Sequence, residues 1–472
     1  MIRAARVSLS VLTVLLTLLG SVVPALAGPV RPADSAPAPL PSVYYRAHVQ
    51  DIGWQPAVID GQLAGTTGQG KRLEALEIDI TGVKLQYRAQ VQSLGWLGFV
   101  GNRQTAGTTG RGLRLEAVEI RSTDPDVSIE YRAHVQGIGW QDWVRDGAVA
   151  GTVGRGLRME AIEIRIHPAT VSFAITADSG TDTVNKNPYA GRIFTAIGAA
   201  HPDFLLHLGD LGYVAQAGIE KTFCTFVRQR IGDTPMALMP GNHEGLDPKF
   251  GGPRGQIQTY ASACGTRPAG IAGTYPYQYV IDRPGVRIIM ISPNISTATG
   301  KLSYGNGTAE QARLGQWIDE ARRAGKFVVV AHHEPYLSPG PHRSEPANLS
   351  SPQLAEFEIA HHVDLVLSGH DHVVARSHQL TGQVRSQSTP KIVDRDGSFA
   401  SGAGTVFALL GTGGHEATAI GPLNSLWKMA AGTNSPGGTT YAWGEVTVSG
   451  NKLTYTLRPV AGSATDSFTI TR

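Results

Sequence analysis

Five short apolar runs in the second half of the chain each end on a side chain that can bind a cation or carry a proton. The run from Phe173 to Ala177 leads into Asp178, and the run from Phe204 to Leu208 leads into Gly209-Asp210. The run from Met236 to Met239 precedes Gly241-Asn242-His243-Glu244. The runs from Phe327 and Val363 precede His332-His333 and Gly369-His370-Asp371-His372. One Asp or His at the end of a strand is usually a satisfied structural hydrogen bond. Five such ends, all with the same polarity, point instead to a shared site. Imidazoles and carboxylates with no cysteine among them suit borderline to hard metals such as Fe, Zn or Mn. Asp178, Asp210, Asn242, His332, His370 and His372 are more donors than one tetrahedral ion needs. Two ions sharing a bridging carboxylate, about 3.5–4 Å apart, would use such a set to polarise a phosphoryl group and generate hydroxide.

Elements of a particular kind must hold those donors. The apolar runs are short enough for buried strands, and helical patterns alternate with them, such as Leu314, Trp317, Ile318 and Ala321 at spacings of three and four. Alternating strands and helices predict an α/β layered domain from residue 171 to 472, with ligands bound beyond the carboxyl ends of its strands. Glu445-Val446-Thr447-Val448 and Lys452-Leu453-Thr454-Tyr455 read as strands around the turn Ser449-Gly450-Asn451.

The chain has 472 residues, 41% of them hydrophobic and 17% charged, which excludes a disordered chain and a polytopic membrane protein. A formal charge of +3 gives no electrostatic reason to invoke nucleic acid. Arg3 and Arg6 precede an apolar stretch from Val7 to Leu19 and then Ala25-Leu26-Ala27, the pattern of a secretory signal peptide over residues 1–27. That stretch is shorter than the roughly 20 residues a membrane span needs, so a secreted, extracellular or surface-associated protein is expected. Outside the cell, Cys224 and Cys264 could pair. Residues 28–42 are rich in Pro, Ala and Ser and read as a linker.

Residues 43–167 contain three copies of one unit. Tyr45-Arg46-Ala47-His48-Val49-Gln50 recurs from Tyr87 and from Tyr131, at intervals of 42 and 44 residues. Each copy then carries Gly-Trp at Trp54, Trp96 and Trp140, a Gly-Thr-x-Gly from Gly65, Gly107 and Gly151, and Arg-x-Glu-Ala-x-Glu-Ile from Arg72, Arg114 and Arg158. Short β-prone runs between glycine turns predict an all-β module, closed with pseudo-threefold symmetry because one unit cannot bury a face alone. A trefoil and a prism both satisfy this. The tryptophans are expected in a shared core layer, and each Arg-x-Glu as a same-face ion pair. The copies resemble the ChW repeats, clostridial hydrophobic repeats with a Gly-Trp signature. That resemblance implies a binding module directed at a cell surface or at carbohydrate.

Asp178-Ser179-Gly180, Gly209-Asp210-Leu211-Gly212-Tyr213, Gly241-Asn242-His243-Glu244, His332 and Gly369-His370-Asp371-His372 resemble, in order and spacing, the motifs of the calcineurin-like metallophosphoesterases. The fold implied is a two-sheet βαβ sandwich that the strands of the C-terminal hairpin close at its edge, with no separate tail domain. Asp-x-Gly at Asp178 and a Tyr three residues after Asp210 are similar to the purple acid phosphatase branch. The resemblance implies Asp178, Tyr213 and His372 around a ferric ion and Asn242, His332 and His370 around a divalent one, Zn, Mn or a second Fe, with Asp210 bridging. Five positive charges, less those of Asp178, Asp210 and a deprotonated Tyr213, leave a centre suited to an anionic ester. Asn242 and His243 are implied in substrate binding, and His243 and His342 in proton transfer. Glu334 stands where relatives often carry Pro, which leaves His332 and His333 in competition; counting to Tyr336 favours His332. His207, His361, His362 and His415 are expected to be structural. The activity implied is acid-phosphatase-like hydrolysis of phosphate monoesters by metal-bound hydroxide. Rival readings are a phosphodiesterase or nucleotidase on the same site, and a surface-binding protein whose hydrolase half is secondary.

Overall fold

The computed structural model describes residues 42–472, except 125–126, 182–187, 214–217, 245–255, 298–299, 345–350, 387–388 and 437. The expected signal peptide and nearly all of the linker lie outside the described residues. Among the described residues, no helix is long and apolar enough to cross a membrane.

Each repeat forms a long antiparallel hairpin: Val43–Val49 with Leu73–Ile80, Leu85–Val91 with Leu115–Ser122, and Val127–Val135 with Met159–Pro168. Alternation along these strands buries Val, Ala, Leu and Ile on one face, as a half-buried sheet requires. The units are tied in a ring. Ala64–Gly65 of the first repeat pairs with the third, Ala106–Gly107 of the second with the first, and Ala150–Gly151 of the third with the second. The result is three separate sheets around one core, an arrangement like the faces of a prism rather than a single barrel.

The repeated tyrosines follow the same rotation. Tyr45 OH accepts from the Ile164 amide at 3.1 Å, Tyr87 OH from Ile78 at 3.0 Å and Tyr131 OH from Ile120 at 2.9 Å. Burial pushes all three phenols up to about 12, so each also remains a donor, to the carbonyls of Gln62, Gln104 and Ala148. The expected tryptophan core is not found. Trp54, Trp96 and Trp140 are half-buried and lie outside the apolar cluster, each under the guanidinium of Arg46, Arg88 or Arg132 at 4.7–4.8 Å. Their strands are two residues long and flank the hairpins, so the indoles cover the outer sheet face. The Arg-x-Glu pairs form as expected, at 2.7 Å in all three copies.

From Thr170 the chain builds two facing sheets. The first runs Met236–Leu238, Phe204–His207, Thr170–Thr176, Tyr441–Ser449, Lys452–Ala461, Ser467–Thr471 and Ser398–Ala400. The second has Val286–Met290, Phe327–Ala331, Leu365–Ser368 and Val406–Leu410 in parallel at its centre. Phe173, Ile175 and Leu206 point between the sheets towards Ile288, Val329 and Leu367. Ala174 and Leu205 point outward under the helices Tyr189–Ala200 and Ile219–Ile231. Leu314, Ile318 and Ala321 likewise bury one face of the helix Ala309–Arg323, whose N-terminus Thr308 caps. The C-terminal hairpin departs from expectation. Tyr441–Ser449 pairs directly with Thr170–Thr176 in the middle of the first sheet, where Ala442, Val446 and Val448 join the core between the sheets and Tyr441 and Trp443 join the apolar layer on the other face.

Cys224, on the helix Ile219–Ile231, is disulfide-bonded to Cys264, just past the helix Ile257–Ala263. The bond closes a loop with a sequence separation of 40 that contains Asn242 and His243. Replacing both cysteines by Ser is expected to cost about 4 kcal/mol through the freed denatured chain, read as a fall in the unfolding midpoint of the oxidised protein. In the repeats, a Cβ on Gly107 (φ +114) would stand 2.4 Å from the Glu74 carbonyl, whereas Gly110 (φ +71) faces open space. Gly110→Ala should therefore cost only the roughly 1–2 kcal/mol of a left-handed residue, and Gly107→Ala distinctly more, by calorimetry of the full chain.

Candidate metal centre

The carboxyl ends of strands from both sheets meet at one place. Thr170–Thr176 delivers Asp178, Phe204–His207 delivers Asp210, and Met236–Leu238 delivers Asn242. From the facing sheet, Phe327–Ala331 delivers His333, and Leu365–Ser368 delivers His370 and His372. Asp178, Asp210 and His370 all adopt left-handed backbone, with φ of 55°, 53° and 68°. Such conformations are uncommon for non-glycine residues and persist where the surroundings over-determine them. Glycines make room for the turns: a Cβ on Gly241 would meet Asp210 Oδ1 at 2.0 Å, and one on Gly369 would meet Asp178 Oδ2 at 2.5 Å.

Two donor groups emerge, with Asp210 common to both. In the first, donor atoms of Asp178, Asp210 and His372 lie within 4.8 Å of one another. Tyr213 OH stands 3.1 Å from Asp178 Oδ1 and 3.2 Å from His372 Nε2. In the second, Asn242 Oδ1 is 3.1 Å from His333 Nε2 and 3.0 Å from His370 Nδ1, and His333 Nε2 is 3.4 Å from Asp210 Oδ1. Outer partners set the tautomers. His333 Nδ1 donates to the Leu208 carbonyl and His372 Nδ1 to the Glu416 carbonyl, both at 2.8 Å, which leaves each Nε2 lone pair facing the cluster.

This geometry corrects the choice of His332. Its Nδ1 bonds the Glu334 carbonyl at 2.8 Å and its Nε2 bonds Glu358 Oε1 at 3.1 Å, so both nitrogens are engaged away from the site. The neighbouring His333 turns inward instead. His243 lies beside the centre, its Nε2 3.6 Å from Asp210 Oδ2 and its ring 4.7 Å from that of Tyr213. His342 also reaches the site, with its ring 4.3 Å from that of His370 and its Nδ1 bonded to Asp371 Oδ1 at 2.8 Å.

Three further residues carry no separate signal in the motifs. The His415 ring packs 3.7 Å from that of Tyr213, so this histidine belongs to the site's wall rather than to remote structure. Asp371, fully buried, accepts from the Ser338 hydroxyl and the His342 amide and so folds the 338–342 loop against His370. Glu244, also buried, accepts from the amides of Asp210, Leu211, Gly212 and Gly241 at 2.8–3.0 Å. Glu244 and Asp371 both sit inside motifs legible in the sequence. His415 follows a glycine run and has no such marker.

The electrostatics call for cations. Asp178 and Asp210 are buried, and among the described residues their ion-pair partners are histidines, with no lysine or arginine. Burial opposes protonation of His333, yet the Asp210 and Asp178 carboxylates raise its pKa to about 10. Burial and the same carboxylates push the Tyr213 phenol well above its ordinary value. A field that draws protons onto imidazole and phenol is one that bound cations would neutralise. The oxygen and nitrogen donors fit a pair of hard or borderline ions.

Comparison with known proteins agrees with this. Residues 171–374 match the family model for calcineurin-like phosphoesterases, and residues 48–82, 90–124 and 134–168 match the model for the clostridial hydrophobic W repeat. Two uncharacterised proteins of Mycobacterium tuberculosis, from strains CDC 1551 / Oshkosh and H37Rv, are each 33% identical over 246 residues, or 48% of this chain. Those residues cover 45% of each relative, so the chain spans less than half the length of the curated proteins it matches. A purple acid phosphatase isolated from yellow lupin (Lupinus luteus) seeds superposes with a TM-score of 0.50 at 15% identity, over 89% of this chain and 82% of that one, which shows a common fold. Residues 171–374 thus match the calcineurin-like phosphoesterases, behind three stretches that match the clostridial hydrophobic W repeat.

Proposed function

We propose that the protein is a secreted, metal-dependent phosphatase that hydrolyses phosphate monoesters at a dinuclear centre. The observation that carries this reading is the position of Asp210, a single buried carboxylate shared by two donor groups. Asp178, Tyr213 and His372 would hold one ion, and Asn242, His333 and His370 the other. Two ions so held supply Lewis acidity towards a phosphoryl oxygen and lower the pKa of a bound water.

The protein's own groups do the rest. Glu244 ties the backbone on both sides of Asp210, which fixes the shared carboxylate. Leu208 and Glu416 carbonyls hold the imidazoles in their ligating tautomers. His243 and His342 flank the donors from two different loops, placed to contact phosphoryl oxygens or to protonate a leaving oxygen. Asp371 orients His342 for that task. Tyr213, between Asp178 and His372, favours the purple acid phosphatase branch, in which one ion is ferric. The disulfide supports an oxidising, extracytoplasmic location.

Metal analysis of the purified full chain is expected to find two ions per molecule, one of them iron, with a visible tyrosinate-to-iron band that Tyr213→Phe removes. p-Nitrophenyl phosphate should be cleaved at least tenfold faster than its bis-ester. Active but colourless protein loaded with zinc or manganese would remove the ferric assignment, and preference for the diester would remove the monoester one.

The two adjacent histidines should separate cleanly. His333→Ala is expected to lower metal affinity by more than the 10–100-fold typical of an outer-shell change, with activity lost in parallel. His332→Ala should keep both ions and instead lower thermal stability, because it strips buried Glu358 of a partner. The reverse pattern in metal content would restore His332 as the ligand.

A further inference from the structure

The three repeats are not equivalent on their outer faces, and the difference lies at one strand position. Val58, Val100 and Val144 pair with Tyr45, Tyr87 and Tyr131 respectively, which makes Ala57, Phe99 and Trp143 structural equivalents. In the second repeat the Arg88 guanidinium lies 4.8 Å from the Trp96 ring and 4.6 Å from Phe99. In the third, Arg132 lies 4.8 Å from both Trp140 and Trp143. A second arginine also lies against the inserted ring: Arg121 is 4.4 Å from Phe99, and Arg165 is 4.0 Å from Trp143. Two repeats therefore fill this place with an aromatic ring in contact with two cations.

The first repeat keeps the first cation, carries Asp79 at the register of Arg121 and Arg165, and lacks the second ring. Arg46 lies 4.7 Å from Trp54 and is held by Glu77, as Arg88 is by Glu119 and Arg132 by Glu163. Where the second aromatic would stand, there is a cavity of about 130 Å³ lined by Tyr44, Arg46, Ala57, Glu77, Asp79 and Arg103. Arg103, anchored to Asp79 at 2.7 Å, comes from the second repeat and supplies the other cation. Tyr44, in the lining, is 46% exposed, so the cavity is open to solvent.

We propose that this cavity receives an aromatic side chain, Trp or Phe, presented by a partner polypeptide. The occupants of the two equivalent places in this chain are the argument for that chemistry. Both arginines are paired to carboxylates, Arg46 to Glu77 and Arg103 to Asp79, so a ring entering beside them gains stacking and cation–π attraction. An aromatic anchor in a preformed pocket is the usual core of a polypeptide interface.

The test uses the oxidised full-length protein and N-acetyl-tryptophanamide as probe, followed by saturation-transfer difference NMR, with N-acetyl-alaninamide and N-acetylglucosamine as controls. Saturable millimolar binding of the indole, absent for the alanine amide, is expected. Ala57→Trp should weaken it at least tenfold while raising the unfolding midpoint, since the new ring copies Trp143. Arg46→Gln, which removes the cation and keeps a polar side chain, should weaken it without that stabilisation. Absence of indole binding, binding unchanged in Ala57→Trp, or binding of the sugar alone would each overturn the proposal.

Discussion

Two carboxylates with almost no access to water and, among the described residues, no lysine or arginine paired to them govern the second half of this molecule. Asp178 and Asp210 are 0% and 2% exposed, and the groups that face them are imidazoles, which carry charge only when protonated. Burying an ion costs several kcal/mol unless something returns the solvation it loses. A lysine or arginine would return it permanently and close the site. Histidines, a phenol and an asparagine amide return it only in part, and they can all serve as ligands. The neighbourhood therefore makes sense as a centre completed by cations, and the left-handed backbone at Asp178, Asp210 and His370 is a cost accepted for converging their donors.

Convergence of that kind needs two sheets held in fixed relation. Asp178, Asp210 and Asn242 come from one and His333, His370 and His372 from the other. Interdigitated Phe, Ile, Val and Leu from both inner faces set the spacing, and close packing makes it stiff. The loops that carry donors are fastened again: Glu244 ties the Asp210 turn to Gly241, and Asp371 gathers the 338–342 loop. The disulfide shortens the free excursion of the segment that bears Asn242. Stability and chemistry meet in the same few residues, because the groups that restrain the loops are also those that aim the donors.

Strand-end motifs and an alternating βα pattern were enough to read the fold and to collect the donors, since both depend on local order and spacing. What escaped depends on contacts from far along the chain. His332 and His333 are adjacent at the end of one strand, so their side chains leave in opposite directions. Which one faces inward is decided by Leu208, on another sheet, and by Glu358, on the helix Pro352–Ala360. His415 reaches Tyr213 through a loop that follows the strand Val406–Leu410, with no motif of its own. The C-terminal hairpin was legible as a hairpin, but not its place beside Thr170–Thr176, because pairing between strands some 270 residues apart leaves no local trace.

The repeats make the complementary point about size and position. Large aromatics at a recurring place suggested a core, yet the ring of three units closes on backbone: Ala-Gly bridges, tyrosine hydroxyls on neighbouring amides, and glycines that a Cβ would push out of contact. Those elements are invariant among the copies because each touches the next unit. The outer layer is under no such constraint. There the same strand position holds Ala57, Phe99 or Trp143, and the strand opposite holds Asp79, Arg121 or Arg165, while the pairing registers stay fixed. A scaffold whose closure ignores its outer face can change that face one copy at a time, and the open place on the first repeat is where this chain has done so.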